Sequence, residues 1–194
     1  MKPSSRLHFG LLVLVLFFGA CSVFETREPE QPGTTTVPVF IQPDRPRDVV
    51  ENLINAVRAL NLDNYRRCLS REDFRYEPSL PAQSNNPDIW VGWGFAEEEV
   101  YFNNMRAESE GLTGHNLRFE NASDVSIPPD EHRYEASYVI QVEHNRQGLP
   151  KQASGRLRLT MKQMDDGQWF IIHWNDADGN SDFTWSDYRA AFLQ

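Results

Sequence analysis

Apolar and polar residues alternate in steps of two through much of the C-terminal half. Leu117 and Phe119 alternate with Arg118 and Glu120. Tyr134, Ala136, Tyr138, Ile140 and Val142 mark a longer run, and Leu157, Leu159 and Met161 alternate with Arg156, Arg158, Thr160 and Lys162. One apolar and one polar face is the pattern of antiparallel strands with one wet side. Gln147-Gly148-Leu149-Pro150 supplies a turn between the two longest runs. Asp166-Gly167 is a hairpin signal before residues 169–174. That last run is apolar on both faces, which places it centrally or under a helix.

Upstream the period is helical. Val49, Val50, Leu53, Ile54, Val57 and Leu60 recur at spacings of three and four, with Arg47, Glu51 and Arg58 between them. Pro46 suits a first turn, and Asn61 and Asp63 offer a stop and a new cap. Leu62, Tyr65, Cys68 and Leu69 form a second short apolar face, followed by a Ser70/Asp73 cap pair. Residues 76–88 read as a loop. Residues 95–110 read as a helix with Glu97, Glu98 and Glu99 near its positive end and Val100, Tyr101 and Met105 as its inner stripe, Phe102 lying nearby. Thr184 and Asp187 are spaced as a cap pair for a closing helix.

The N-terminus carries an address. Lys2 and Arg6 precede an apolar run from Phe9 to Phe18, then Gly19-Ala20-Cys21-Ser22. The run is too short to span a bilayer, which takes ~20 residues. Ala20 fits an ordinary signal-peptide cut, but Phe18 is too large for the third position before it. Phe18-Gly19-Ala20-Cys21 instead resembles the lipobox of bacterial lipoproteins, with Phe in place of the usual Leu. The resemblance implies a signal peptide over residues 1–20 and a diacylglycerol on Cys21. With Ser22 rather than Asp after the cysteine, it also implies the outer membrane facing the periplasm over the inner membrane. Residues 24–47 hold five prolines and three consecutive threonines. They read as a tether, extended at ~3.1 Å per residue and reaching roughly 70 Å. Val37-Pro38-Val39-Phe40-Ile41 is the part suited to docking on the domain. The organisation is therefore 1–20 signal, 21–43 lipidated cysteine and tether, and 44–194 one domain.

Charge narrows the partners. Lys and Arg number 19 against 28 Asp and Glu, a formal charge of −9. Removing the signal takes away Lys2 and Arg6 and no acid, so the mature chain is more acidic still. Such a surface argues against nucleic acid and against anionic lipid bound by a basic patch.

Helices followed by a run of antiparallel strands and a final helix define an α+β chain. Asp48-Val49-Val50-Glu51-Asn52-Leu53, Asn64-Tyr65-Arg66-Arg67-Cys68-Leu69-Ser70, Gly167-Gln168-Trp169-Phe170-Ile171-Ile172 and Thr184-Trp185-Ser186-Asp187-Tyr188 carry a resemblance to the nuclear-transport-factor-2-like superfamily. It covers roughly residues 44–194. It implies a curved antiparallel sheet wrapped around an N-terminal helix, a cone-shaped, cystatin-like roll. It also implies a pocket inside the cone, and in many members homodimerisation through the open sheet face. Members include ketosteroid isomerase, scytalone dehydratase, limonene epoxide hydrolase and SnoaL-like cyclases. None of their catalytic motifs lays onto this chain residue by residue, and fold alone does not choose among them.

If Asp166-Gly167 forms a two-residue loop, Met161 faces Ile172 and Leu159 faces Trp174. Phe170, Ile172, Trp174 and Asp176 then share the pocket face, and a slip of one residue exchanges them for Trp169, Ile171 and His173. Asp176 and His173 are the weak acid–base candidates; the plainer readings are a solvated strand-end carboxylate and a hydrogen-bonded structural histidine. Trp90, Trp93, Tyr101, Tyr138, Leu159, Met161, Ile172 and Trp174 are candidates to line the pocket, with core packing as the alternative for the aromatics. His115, His132 and His144 have no partner at metal-site spacing, so no metal is expected, and no fingerprint implies a cofactor. Cys68 reads as a buried thiol. The leading expectation is a non-catalytic, lipid-anchored envelope protein binding a small apolar ligand or an envelope protein. The alternative is a small-molecule isomerase, dehydratase or hydrolase using a pocket carboxylate.

Overall fold

Helix α1 (Pro46–Arg58) packs its face of Val49, Leu53, Ala56 and Val57 into the core, in a computed structural model that describes residues 39–193. Cys21 and most of the tether lie outside those residues. Pro46 starts α1 without a wasted amide donor, and the Arg45 amide and guanidinium both donate to the Asp48 carboxylate across the first turn. Ahead of α1, the amide of Ile41 donates to the side-chain oxygen of Asn52 and the Asn52 amide donates back to the Ile41 carbonyl. One asparagine thus pins an extended strap to the helix, and the Arg67 guanidinium covers the Phe40 ring at 3.6 Å.

Helix α2 (Leu62–Arg66) follows, capped by the Asn61 side chain, which accepts from the Asn64 amide at 2.9 Å. The loop expected over 76–88 is in fact ordered structure. Strand β1 (Arg75–Glu77), helix α3 (Leu80–Asn85) and a 3-10 turn (Pro87–Trp90) occupy it. These pieces are too short to show a period. They are held by tertiary contacts, with buried Ala82 accepting a bond from the Trp90 indole at 3.2 Å. Helix α4 (Phe95–Glu108) is capped by Glu97, which accepts from the Gly94 amide at 3.0 Å. Its buried face is Glu98, Tyr101, Phe102 and Met105, while Val100 is 47% exposed. The expected inner stripe is corrected accordingly: a buried carboxylate takes the position that hydropathy gave to valine. Among the described residues no helix is long and apolar enough to cross a membrane.

The sheet comprises β2 (Asn116–Ile127), β3 (Glu131–Gln141), β4 (Gln152–Gln163) and β5 (Trp169–Ala177), with β1 added in parallel to β5; the order is β1-β5-β4-β3-β2. The other pairs are antiparallel. The last hairpin differs from the two-residue expectation in an instructive way. Met164 and Gln168 pair, and Asp165, Asp166 and Gly167 form a three-residue loop with Gly167 at φ +82. Met161 therefore faces Ile171, not Ile172. A bulge at Ile172 then adds one residue, so Thr160 faces His173 and Leu159 faces Trp174 as the two-residue loop requires. Both alternative faces of β5 are thus used, one on each side of the bulge: Ile171 before it and Trp174 and Asp176 after it are buried. Helix α5 (Trp185–Leu193) closes the concave side together with α1 and α4.

Candidate functional site

The concave side of the sheet has a closed half and an open half. In the closed half the first turn of α5 meets the end of β5. Thr184 and Asp187 form the cap pair, the Thr184 amide and hydroxyl donating to the Asp187 carboxylate at 2.7 and 2.8 Å. The next two amides have no partner within the helix. Trp185 N–H donates to the Tyr138 hydroxyl at 2.8 Å, and Ser186 N–H donates to Asp176 Oδ2 at 2.8 Å. Asp176 also accepts from the Tyr138 hydroxyl at 2.8 Å and from the Ser186 hydroxyl. Burial pushes its carboxyl above the ordinary value, against the pull of Ser186, Arg189 and Tyr138. Tyr138 reaches this point by crossing over Gly155, its partner in β4; a Cβ there would sit 2.7 Å from the Tyr138 oxygen and 2.6 Å from the Ala177 carbonyl.

Beside it lies a fully buried ion pair. Arg189 Nη2 is 2.7 Å from Glu98 Oε1, and its Nε donates to both oxygens at 3.0 Å. Glu98 also accepts from the Trp93 indole at 2.7 Å and from the Tyr65 hydroxyl. The guanidinium lies over Tyr76 at 4.0 Å and Trp174 at 4.4 Å. Burial works against its charge, but Glu98 and the surrounding tyrosines together outweigh that and hold its pKa above the usual arginine value.

The structure brings Trp90, Trp93, Tyr101, Tyr138, Leu159, Met161 and Trp174 into this one buried cluster. Ile172 is set apart by the bulge and only partly buried. His173 stands on the outer face, 3.5 Å from Glu77, its side chain 44% exposed. Cys68 is buried, its thiol donating to the Asn64 carbonyl, and burial raises its pKa. Cys21 is outside the described residues. Glu98, Arg189, Tyr65, Tyr76 and Ser186 were not singled out by sequence. Glu98 sits in a run of three glutamates, and only the fold distinguishes the buried one. Arg189 follows Trp185 by one helical turn, which is the single trace of its inward face.

The open half is a groove of about 700 Å³ between α1 and the inner face of β2–β4. Val50, Ile54, Tyr134 and Met161 form its apolar lining, with Arg47, Glu51, Asp124 and His132 also on its walls. His132 Nε2 is 3.8 Å from Asp124, and its ring meets the edge of Trp169 at 6.2 Å. Phe119 packs on Tyr134 at 5.8 Å. Burial, then Asp124, raises the Tyr134 pKa. Of the sequence-derived lining residues, Met161 alone reaches this groove.

No protein-family model and no curated protein matches the chain. Solved structures do. A nuclear transport factor 2-like superfamily protein from Salmonella enterica is 7% identical with a TM-score of 0.53, over 68% of this chain and 86% of that one. A protein provisionally named scytalone dehydratase, from Novosphingobium aromaticivorans, is 10% identical with a TM-score of 0.53, over 67% and 78%. One provisionally named aromatic ring hydroxylase, from the same organism, is 14% identical with a TM-score of 0.52, over 68% and 85%. The chain has the α+β fold of these nuclear-transport-factor-2-like proteins, a curved, unclosed five-stranded sheet with helices on its concave side. At such identities the likeness shows the fold alone.

Proposed function

We propose that this chain is a bacterial envelope lipoprotein, anchored by lipid on Cys21, whose domain is a non-catalytic interaction module. The observation that supports it best is the state of Asp176. The carboxylate faces inward, as an enzyme would require, but each oxygen already accepts bonds from the fold. The neighbouring charge, Glu98, is neutralised by Arg189 and bonded to Trp93 and Tyr65. A general base needs a lone pair within reach of a substrate proton, and here aromatic side chains fill that space. The dehydratase- and hydroxylase-named neighbours share the fold, but this interior is built for stability. Binding falls to the open groove, whose half-apolar lining suits an apolar group presented by an envelope protein.

Two measurements test the reading. Radiolabelled palmitate should enter the full-length chain in cells and be absent from Cys21→Ala; label retained by the variant refutes the anchor. Native mass spectrometry of the gently purified protein should show polypeptide plus lipid chains. A stoichiometric additional small molecule, lost with interior variants, would replace the interaction module with an enzyme or carrier.

A further inference from the structure

The two edges of the sheet are treated differently. The β5 edge is covered by three separate segments. β1 pairs with His173–Asn175, Cys68 and Ser70 exchange backbone bonds with Ile171, and the Trp169 amide donates to the Pro43 carbonyl at 2.8 Å. The β2 edge has no such cover among the described residues. β2 pairs with β3 alone, runs for 12 residues, and is exposed from Glu120 to Ser126. A bare strand of this length is a template for another extended strand.

The sequence of β2 selects its occupant. In a sheet continued across a two-fold axis normal to it, directly opposed residues share a face, so only every second register is allowed. Phe119 lies on the inner face against Tyr134, and Arg118 and Glu120 lie exposed on the outer face. The flat stretch ends at the bulge after Glu120, where Asn121 has φ +52. Before the bulge, three centres keep both charged residues inside the ladder. An axis at Arg118 opposes arginine to arginine, and one at Glu120 opposes glutamate to glutamate. An axis at Phe119 opposes Arg118 to Glu120 of the second copy, twice, and brings the two phenylalanines together. Opposed unlike charges and aromatic pairs stabilise a ladder, whereas opposed like charges destabilise it.

We infer that β2 is a self-association edge, pairing antiparallel with β2 of a second copy about an axis at Phe119. The resemblance noted from sequence pointed to the sheet face; this contact uses the edge. The ladder is short, so the pair is weak in solution and is best trapped.

The test uses full-length chains carrying Cys21→Ala with Arg118→Cys or Glu120→Cys, mixed under mild oxidation; the remaining native cysteine, Cys68, is buried and does not compete. Opposed positions are within disulfide reach, while each residue's own copy is a diagonal neighbour roughly 7–8 Å away. Disulfide dimer is expected in the mixture and about tenfold less in either variant alone. Equal yields in all three samples, or none, overturn the register. Sedimentation equilibrium supplies a second readout: Arg118→Glu should weaken self-association, and adding Glu120→Arg should restore it. Failure of the folded double variant to recover overturns the proposal.

Discussion

Replacing Arg189 with Met removes the guanidinium but leaves its volume roughly filled. Glu98 then stays buried, with bonds from Trp93 and Tyr65 but no counter-charge. Breaking a buried pair by removing one partner costs about 3–5 kcal/mol, because the remaining charge has lost the water it gave up on folding. Domains of this size are stable by about 5–15 kcal/mol in total, so roughly a fifth or more of the stability is at stake. The midpoint of thermal unfolding should fall by roughly 6–20 °C. Urea unfolding followed by tryptophan fluorescence measures the loss directly, since Trp93, Trp174 and Trp185 all lie in the affected cluster. The decisive comparison is the double variant Glu98→Leu with Arg189→Met. With both charges gone the desolvation cost disappears, and stability should return well above that of the single variant. A single variant within about 1 kcal/mol of the natural protein, or a double variant that loses the sum of the two singles, refutes the argument that this pair closes the interior.

Four further outcomes follow from the same geometry. Gly155→Ala drives a Cβ into the Tyr138 oxygen and the Ala177 carbonyl, and should cost about 1–3 kcal/mol in urea unfolding. Because burial raises the Asp176 pKa above 3.8, its contribution to stability is full below that value and is lost as pH rises through the folded pKa. The penalty of Asp176→Asn should therefore be larger near pH 4 than near pH 7; a pH-independent penalty refutes the assignment. Asn52→Ala removes both bonds to the strap and should cost about 1–2 kcal/mol, with faster hydrogen exchange at the Ile41 amide as the local signature. Ile54→Glu places a charge in the groove at a half-buried residue packed against the core; it should lower the unfolding midpoint by only a few degrees while abolishing any partner contact made there.

How much of this was legible depended on whether the determinant was periodic. Strands β3 and β4 alternate without interruption and their register runs unbroken from Glu131 opposite Lys162 to Gln141 opposite Gln152. Pattern was sufficient there because a slip of one residue would bury Arg156 and Arg158 and expose Leu157 and Leu159. β5 was ambiguous because it is apolar on both faces, and the ambiguity was physical: the bulge at Ile172 makes each alternative true on one side. β1, α3 and the 3-10 turn were invisible because three to six residues carry no period. The polar network was legible only through Asp176 and Tyr138, for another reason. Glu98, Asp176 and Arg189 are residue types that surface composition predicts to be solvated, and their burial rests on partners up to 124 positions away, such as Tyr65 for Arg189.

The division of the concave face has one cause. Asp176 and Tyr138 bind the first amides of α5, so they fix where that helix starts. Its next turn carries Arg189 to Glu98, while Trp185 at its start meets Trp174 edge to face with ring centres 4.7 Å apart. Everything from the end of β5 to the middle of β4 is consumed by docking the helix. Among the described residues the helix spans Trp185–Leu193, nine residues. Beyond it α1 alone faces the sheet, and Val50 and Ile54 are left across a gap from Tyr134 and Met161. The groove is thus the remainder of the concave face once α5 is seated. Loosening the Asp176 cap would open the closed half. The same carboxylate that a catalytic reading would nominate as a base is the group whose bonds hold that half shut.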